Sequence, residues 1–166
     1  EAIGLDKRIG NSFLNAGVGY GGSCFPKDVK ALISIAKQYN YDFKLLRDVE
    51  EVNEDAIRQI VRKAKVLLNN DVKNKSVTIL GLSFKPDTDD MRDAPSIIII
   101  NELLKMGAKV TAFDPIAVEN AKQIFSGKGV HFTDDAYQAS EKSDLVIIVT
   151  EWNEFRQLNL SKLKNM

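Results

Sequence analysis

Cysteine and histidine are nearly missing from this sequence: 166 residues contain one of each, Cys24 and His131. A single cysteine closes no internal disulfide, which removes the small secreted scaffolds that such bridges hold together. Without a second cysteine or a histidine cluster a structural zinc site has no ligands, so no metal is expected. A cysteine hydrolase wants a histidine base beside its thiol. His131 stands far along the chain in a strand-like segment, where an ordinary strand or surface role suits it. Excess charge is missing too. Twenty-three basic residues balance twenty-three acidic ones, so neither nucleic acid nor an anionic membrane is an expected partner. The longest aliphatic runs, residues 97–100 and 145–149, are far too short to span a bilayer. No secretory signal is visible, and a cytoplasmic protein is expected. The sequence opens on Glu1 rather than Met, as a piece of a longer chain would.

What is present is the composition of a folded domain, 44% hydrophobic and 28% charged. Two regions follow different patterns. Residues 27–70 read as helix. Ala31, Leu32, Ile35 and Ala36 recur at helical spacing and stop near Tyr39-Asn40. A longer stripe runs through Leu45, Leu46, Val49, Val52, Ala56, Ile57, Ile60, Val61, Ala64, Leu67 and Leu68. That helix would extend close to 40 Å at about 1.5 Å per residue. Such a stripe packs against a second subunit or within its own chain, and its spacing alone allows both.

Past Asn69-Asn70 the period changes. SVTIL at 76–80, KVTAF at 109–113 and DLVIIVT at 144–150 read as strands, the last one buried, with a helical stretch over 97–106. Strands alternating with helices predict a parallel sheet covered on both faces. The expected fold is α/β, a helical segment over 1–72 followed by a small Rossmann-like domain over 73–166. That domain reads as C-terminally incomplete, because residues 152–166 look like one helix with no closing strand.

The stretch GVGYGGSCFPKD, residues 17–28, is the richest. Four glycines in six residues allow close backbone approaches. Pro26 suits a first helical turn, which puts Ser23 or Cys24 at the helix N-terminus. There a thiol faces unpaired N–H groups with Lys27 close by, all of which favour the nucleophilic thiolate. A lone cysteine is ordinarily a small buried hydrophobe; glycines on one side and a helix start on the other point away from that. Gly17, Gly19 and Gly22 also match G-x-G-x-x-G. A dinucleotide-binding turn follows a strand and opens a βαβ unit, whereas this one follows a polar stretch and precedes consecutive helices, so the match is accidental. A second motif, FKPDTDDMRDAPS at 84–96, follows the first predicted strand. Ligands bind at that edge of such a sheet. Lys85 offers a point charge there and Arg92 a fork for phosphate or carboxylate, although a charge run in isolation is usually only solvated loop.

GYGGSCFPKDVKAL resembles the catalytic-cysteine motif of the UDP-glucose/GDP-mannose dehydrogenase family. FKPDTDDMRDAPS resembles that family's second signature, and RIG at 8–10 and TEW at 150–152 also fit. Two signatures about 60 residues apart in the right order make chance improbable. The resemblance covers the whole chain but only the later half of the family architecture. It implies an NAD-dependent enzyme that oxidises C6 of a nucleotide sugar to a carboxylate in two hydride transfers, through a cysteine thiohemiacetal and thioester. Cys24 is then the nucleophile. Asp28, one helical turn on, would position or deprotonate the hydrolytic water. Phe13, Leu14, Asn15, Tyr20, Gly21, Phe84 and Lys85 fall on the substrate side, and Arg8 reaches the substrate of the neighbouring subunit. Lys27, Arg92 and Cys24 border the cofactor NAD. The long helix would lie at a homodimer interface. UDP-glucose is the favoured substrate and GDP-mannose the runner-up. A non-catalytic nucleotide-sugar-binding or dimerisation module is the alternative for this segment by itself, which is expected to be inactive without the NAD domain.

Overall fold

The computed structural model describes residues 2–11, 14 and 17–166. A short 3-10 turn, Ala2–Leu5, leads into an extended loop. Two consecutive helices follow, α1 (Phe25–Gln38) and α2 (Lys44–Leu67). Asn40 ends the first turn-out in the left-handed region, at φ 57°, a conformation asparagine tolerates better than most residues. Then strands and helices alternate: β1 (Ser76–Leu80), α3 (Pro95–Lys105), β2 (Lys109–Phe113), α4 (Val118–Ile124), β3 (Val130–Phe132), α5 (Ala136–Ser140) and β4 (Leu145–Ile148). Two short helices, α6 (Asn153–Arg156) and α7 (Leu160–Lys164), close the chain.

The four strands form one parallel sheet in the order β3-β2-β1-β4. β1 lies inside it, paired on both sides, and its β-branched and aliphatic residues are fully buried. Alternation along β1 decides what each residue meets. Val77 and Ile79 join the larger core with Ile99, Ile100 and Leu103 of α3 and Ala121 of α4. Thr78 and Leu80 face the other way, toward α5 and the cluster of Phe113, Ala136, Ala139, Trp152 and Phe155. Both faces are therefore covered, as a parallel sheet requires. Each fully buried Ile or Leu of these layers contributes about 1.5–3 kcal/mol relative to exposure.

The long helix divides its stripe. Ile57, Ala64 and Leu68 are buried in the same core as the sheet, with Ile60 and Val61 packed against it. Leu45, Val49, Val52 and Leu67 are exposed, and α1 leaves Leu32 and Ile35 exposed beside them. Part of the stripe thus packs within the chain and part is left open.

Two sequence expectations are corrected. The stretch after Trp152 is two short helices, because the Asn159 side chain accepts from the Lys162 N–H and starts a new one. The last strand ends at Ile148 and lies at one edge of the sheet, so it is only half-buried, with Ile148 exposed. Thr150 has turned away there, and its hydroxyl donates to the Ser83 carbonyl. Among the described residues no helix is long and apolar enough to cross a membrane, and no three His, Cys, Asp or Glu side chains gather as a metal site.

Candidate active site

The glycine-rich loop passes between α2 and the loop that follows β1. Its glycines are explained by what they touch. A Cβ on Gly21 would run into the main-chain carbonyl of Asp93, and a Cβ on Gly22 would lie 2.7 Å from the Phe84 ring. Gly22 also donates its N–H to the Arg92 carbonyl at 2.8 Å. These glycines are small because two backbones meet, a packing reason that needs no phosphate. Two consecutive helices, α1 and α2, follow the loop, unlike the helix and parallel strand that follow a dinucleotide-binding turn.

Cys24 caps the N-terminus of α1, with Pro26 in the first turn, and its side chain makes no capping hydrogen bond. The thiol is exposed, 3.8 Å from the Ser23 hydroxyl oxygen. Ser23, Cys24, Lys27, Arg92 and Asp93 line one open cleft of about 480 Å³. Asp28 donates its N–H to the Cys24 carbonyl at 3.0 Å, and its carboxylate pairs with Lys27. The Asp28 carboxylate chiefly, and Cys24 more weakly, hold the Lys27 ammonium above the ordinary lysine range. Asp90 does the same for the Arg92 guanidinium, again with a smaller contribution from Cys24. The cleft therefore sets two permanent cations beside an exposed sulfur at a helix N-terminus.

The second motif is held open by a buried carboxylate. Asp114, at the end of β2, is 1% exposed. Its Oδ2 accepts from the Leu82 N–H at 2.7 Å, from Ser83 and from the Trp152 indole at 3.1 Å; its Oδ1 accepts from the N–H groups of Ile116 and Ala117. It thus fastens the turn out of β1 that presents Phe84 and Lys85. Phe84 is half-buried, donates its N–H to the Asp90 carbonyl, and lies beneath the exposed Lys85 ammonium, 5.3 Å from the ring centre. Asp90 grips Arg92 through Nε at 3.0 Å and Nη2 at 2.7 Å, and that grip holds the Asp90 carboxyl below the usual carboxylate range.

The structure brings Cys24, Lys27 and Arg92 together. Gly21 is buried behind them, and Tyr20 is half-buried with its hydroxyl on Glu50. Arg8 is not among the residues lining that cleft: its guanidinium forks onto Asp6 and is 89% exposed. Leu14 is exposed, while Phe13 and Asn15 fall outside the described residues. Sequence reasoning missed Asp114, Glu50 and Asn53. The Asp-Pro after β2 marked only a strand end, and nothing in the helical stripe sets Asn53 apart from other polar positions.

Known proteins similar to this chain come from one family. The central domain of the UDP-glucose/GDP-mannose dehydrogenase family matches residues 1–55, and that family's UDP binding domain matches residues 78–166. A UDP-glucose 6-dehydrogenase of Rhizobium meliloti is 44% identical over 165 residues, 99% of this chain and 37% of that protein. One from Bacillus subtilis is 45% identical over the whole chain and 36% of its own length. The chain therefore spans little more than a third of these relatives. Among solved structures, a UDP-glucose dehydrogenase from Pyrobaculum islandicum superposes with a TM-score of 0.89 at 36% identity, over 95% of this chain and 36% of that one. A GDP-mannose dehydrogenase from Pseudomonas aeruginosa gives 0.73 at 26% identity, over 90% and 35%. With its two signature loops meeting at one exposed cysteine, this chain belongs to the UDP-glucose/GDP-mannose dehydrogenase family.

Proposed function

We propose that this chain is the nucleophile-bearing and nucleotide-sugar-binding part of an NAD-dependent UDP-glucose 6-dehydrogenase that converts UDP-glucose to UDP-glucuronate in the cytoplasm. The observation that carries this reading is the cleft holding Cys24, Lys27 and Arg92 at the N-terminus of α1. UDP-glucose is preferred because relatives of that name are 44–45% identical across the chain, against 26% for the GDP-mannose dehydrogenase structure. GDP-mannose is the second substrate to assay.

NAD, when bound, is the electron acceptor for two successive oxidations at C6 of the sugar. The donor set fits an anionic cofactor: Lys27 and Arg92, both exposed on the cleft beside Cys24, would hold it by exchanging their present partners Asp28 and Asp90 for it. The work of the chain lies between the oxidations. The Cys24 thiolate adds to the C6 aldehyde carbon; a C–S bond forms and the former carbonyl oxygen takes up a proton. The second oxidation leaves that carbon as a thioester. Water then adds, the C–S bond breaks, and the carboxylate and the thiol are released. Asp28, next along α1, holds or deprotonates this water. Phe84 and Lys85 hold the nucleotide sugar together with residues of the cysteine loop, namely Phe13, Leu14, Asn15, Tyr20 and Gly21. A second copy of the chain covers the exposed face of α2, and Arg8 acts on the partner subunit's substrate.

The test is turnover of the full-length enzyme with NAD and each nucleotide sugar. UDP-glucose is expected to be the better substrate. Cys24→Ser should lower kcat by roughly 10³-fold or more, since the thioester route needs sulfur. Wild-type turnover in that variant removes Cys24 from the reaction.

A further inference from the structure

We infer that Asn53, in the middle of the long helix α2, is a positioning residue for Cys24, with Glu50 one turn earlier completing its hold on the cysteine loop. The inference rests on reading Cys24 as the nucleophile. The Asn53 amide meets both main-chain groups of Tyr20: Oδ1 accepts from the Tyr20 N–H at 2.7 Å, and Nδ2 donates to the Tyr20 carbonyl at 3.1 Å. A carboxamide offers a donor and an acceptor side by side, and this pairing assigns which end is which. The loop lies directly on the helix here. Gly19 sits at φ 115°, and a Cβ on it would come within 2.7 Å of Asn53 Oδ1 and 3.3 Å of the Asn53 carbonyl.

The same residue is held a second time. The Tyr20 hydroxyl donates to Glu50, whose other oxygen lies 3.9 Å from the Lys30 ammonium of α1. Burial first, then the Glu50 carboxylate, push the Tyr20 hydroxyl up to about 12. Its proton is therefore in place at any pH near neutrality. The segment from Tyr20 to Cys24 is held from two sides. Asn53 and Glu50 fix its start, and the Arg92 carbonyl with the Phe84 ring fixes Gly22. Without the Asn53 side, the chain pivots at Gly19, and the sulfur, moving with the start of α1, loses its place beside Arg92.

A bland role competes with this one. Asn53 is a poorer helix former than Ala, and a polar residue so placed is often just a satisfied donor. The two roles separate in the full-length enzyme. Asn53→Ala is expected to lower kcat by roughly 10–100-fold, the scale of a displacement near 1 Å, with KM for the nucleotide sugar within about threefold. Alkylation of Cys24 by iodoacetamide, followed by mass spectrometry of its peptide, should slow at least severalfold as the sulfur moves away from Arg92. Ile100→Val, a core change far from the loop, controls for stability loss and should leave the alkylation rate unmoved. Should Asn53→Ala fail to fold, Asn53→Asp keeps the acceptor for Tyr20, loses the donor, and is read by the same measurements with a smaller expected effect. Unchanged kcat, a rise in KM alone, or unaltered alkylation in a folded variant overturns the inference. If the wild-type enzyme turns over no nucleotide sugar, the proposed function fails, and the alkylation rates alone decide the role of Asn53.

Discussion

Gly21 and Lys85 show how differently residues speak. Gly21 is small because the Asp93 carbonyl occupies the space a Cβ needs, and neither backbone can move cheaply. Gly21→Ala is expected to cost about 1–3 kcal/mol, measured by denaturant unfolding; an unchanged midpoint would show that the loop yields instead. Lys85 has an open ammonium above Phe84, at the edge of the sheet where ligands bind. Lys85→Ala should weaken nucleotide-sugar binding by about 1.5–3 kcal/mol, read by calorimetry on the full-length protein, while the fold is kept. Equal affinity returns Lys85 to solvated loop. Cys24, Lys27 and Arg92, which line one cleft, stood out in the sequence because each belongs to a contiguous motif. The reasons for the glycines were not, since their neighbours Phe84, Asp93 and Asn53 lie far away in sequence. Asp114 escaped for the same reason: its partners come from the turn after β1, from the segment after β2 and from Trp152.

Among the elements, α2 was read most easily and resolved only by the structure. Its 3.6-residue period gave a helix within one residue of Lys44–Leu67. Spacing was silent on which apolar residues face inward, and helix α3, packed against α2, decided that: Ile57, Ala64 and Leu68 are buried in the core it shares with the sheet. The exposed remainder, Leu45, Val49 and Val52, forms one wall of a groove of about 580 Å³ whose other wall is Gly17, Gly19 and Tyr20. A two-fold partner seated on α2 would therefore also touch the cysteine loop. Mixing full-length Cys24→Ser with Arg8→Ala checks the arrangement. Each variant should be nearly inactive, and mixed dimers should regain part of the activity, because one site combines an intact Cys24 with the partner subunit's Arg8. Confirmed subunit exchange without recovered activity removes Arg8 from action in trans, and a monomeric full-length protein ends the dimer proposal. Three of the four parallel strands were equally plain, while β3, only three residues long, showed only as a strand-like segment around His131, and the terminal segment misread as one helix depends on a side-chain cap at Asn159.

For the whole molecule, the order in which contacts can form follows from where the loop is held. Helices α1 and α2 rest on local contacts and can form early, while the parallel sheet must wait for its crossovers. The cysteine loop needs both. Its grip on Asn53 spans 33 residues, and its seat on Arg92 and Phe84 requires the turn out of β1, itself set by Asp114. Loop closure over such separations is repaid only when both walls exist. The thiol therefore meets Arg92 only after both walls stand, so a half-folded copy presents a cysteine without that guanidinium beside it. In a newly made chain, the full setting of this sulfur reports that the helical region and the sheet have joined.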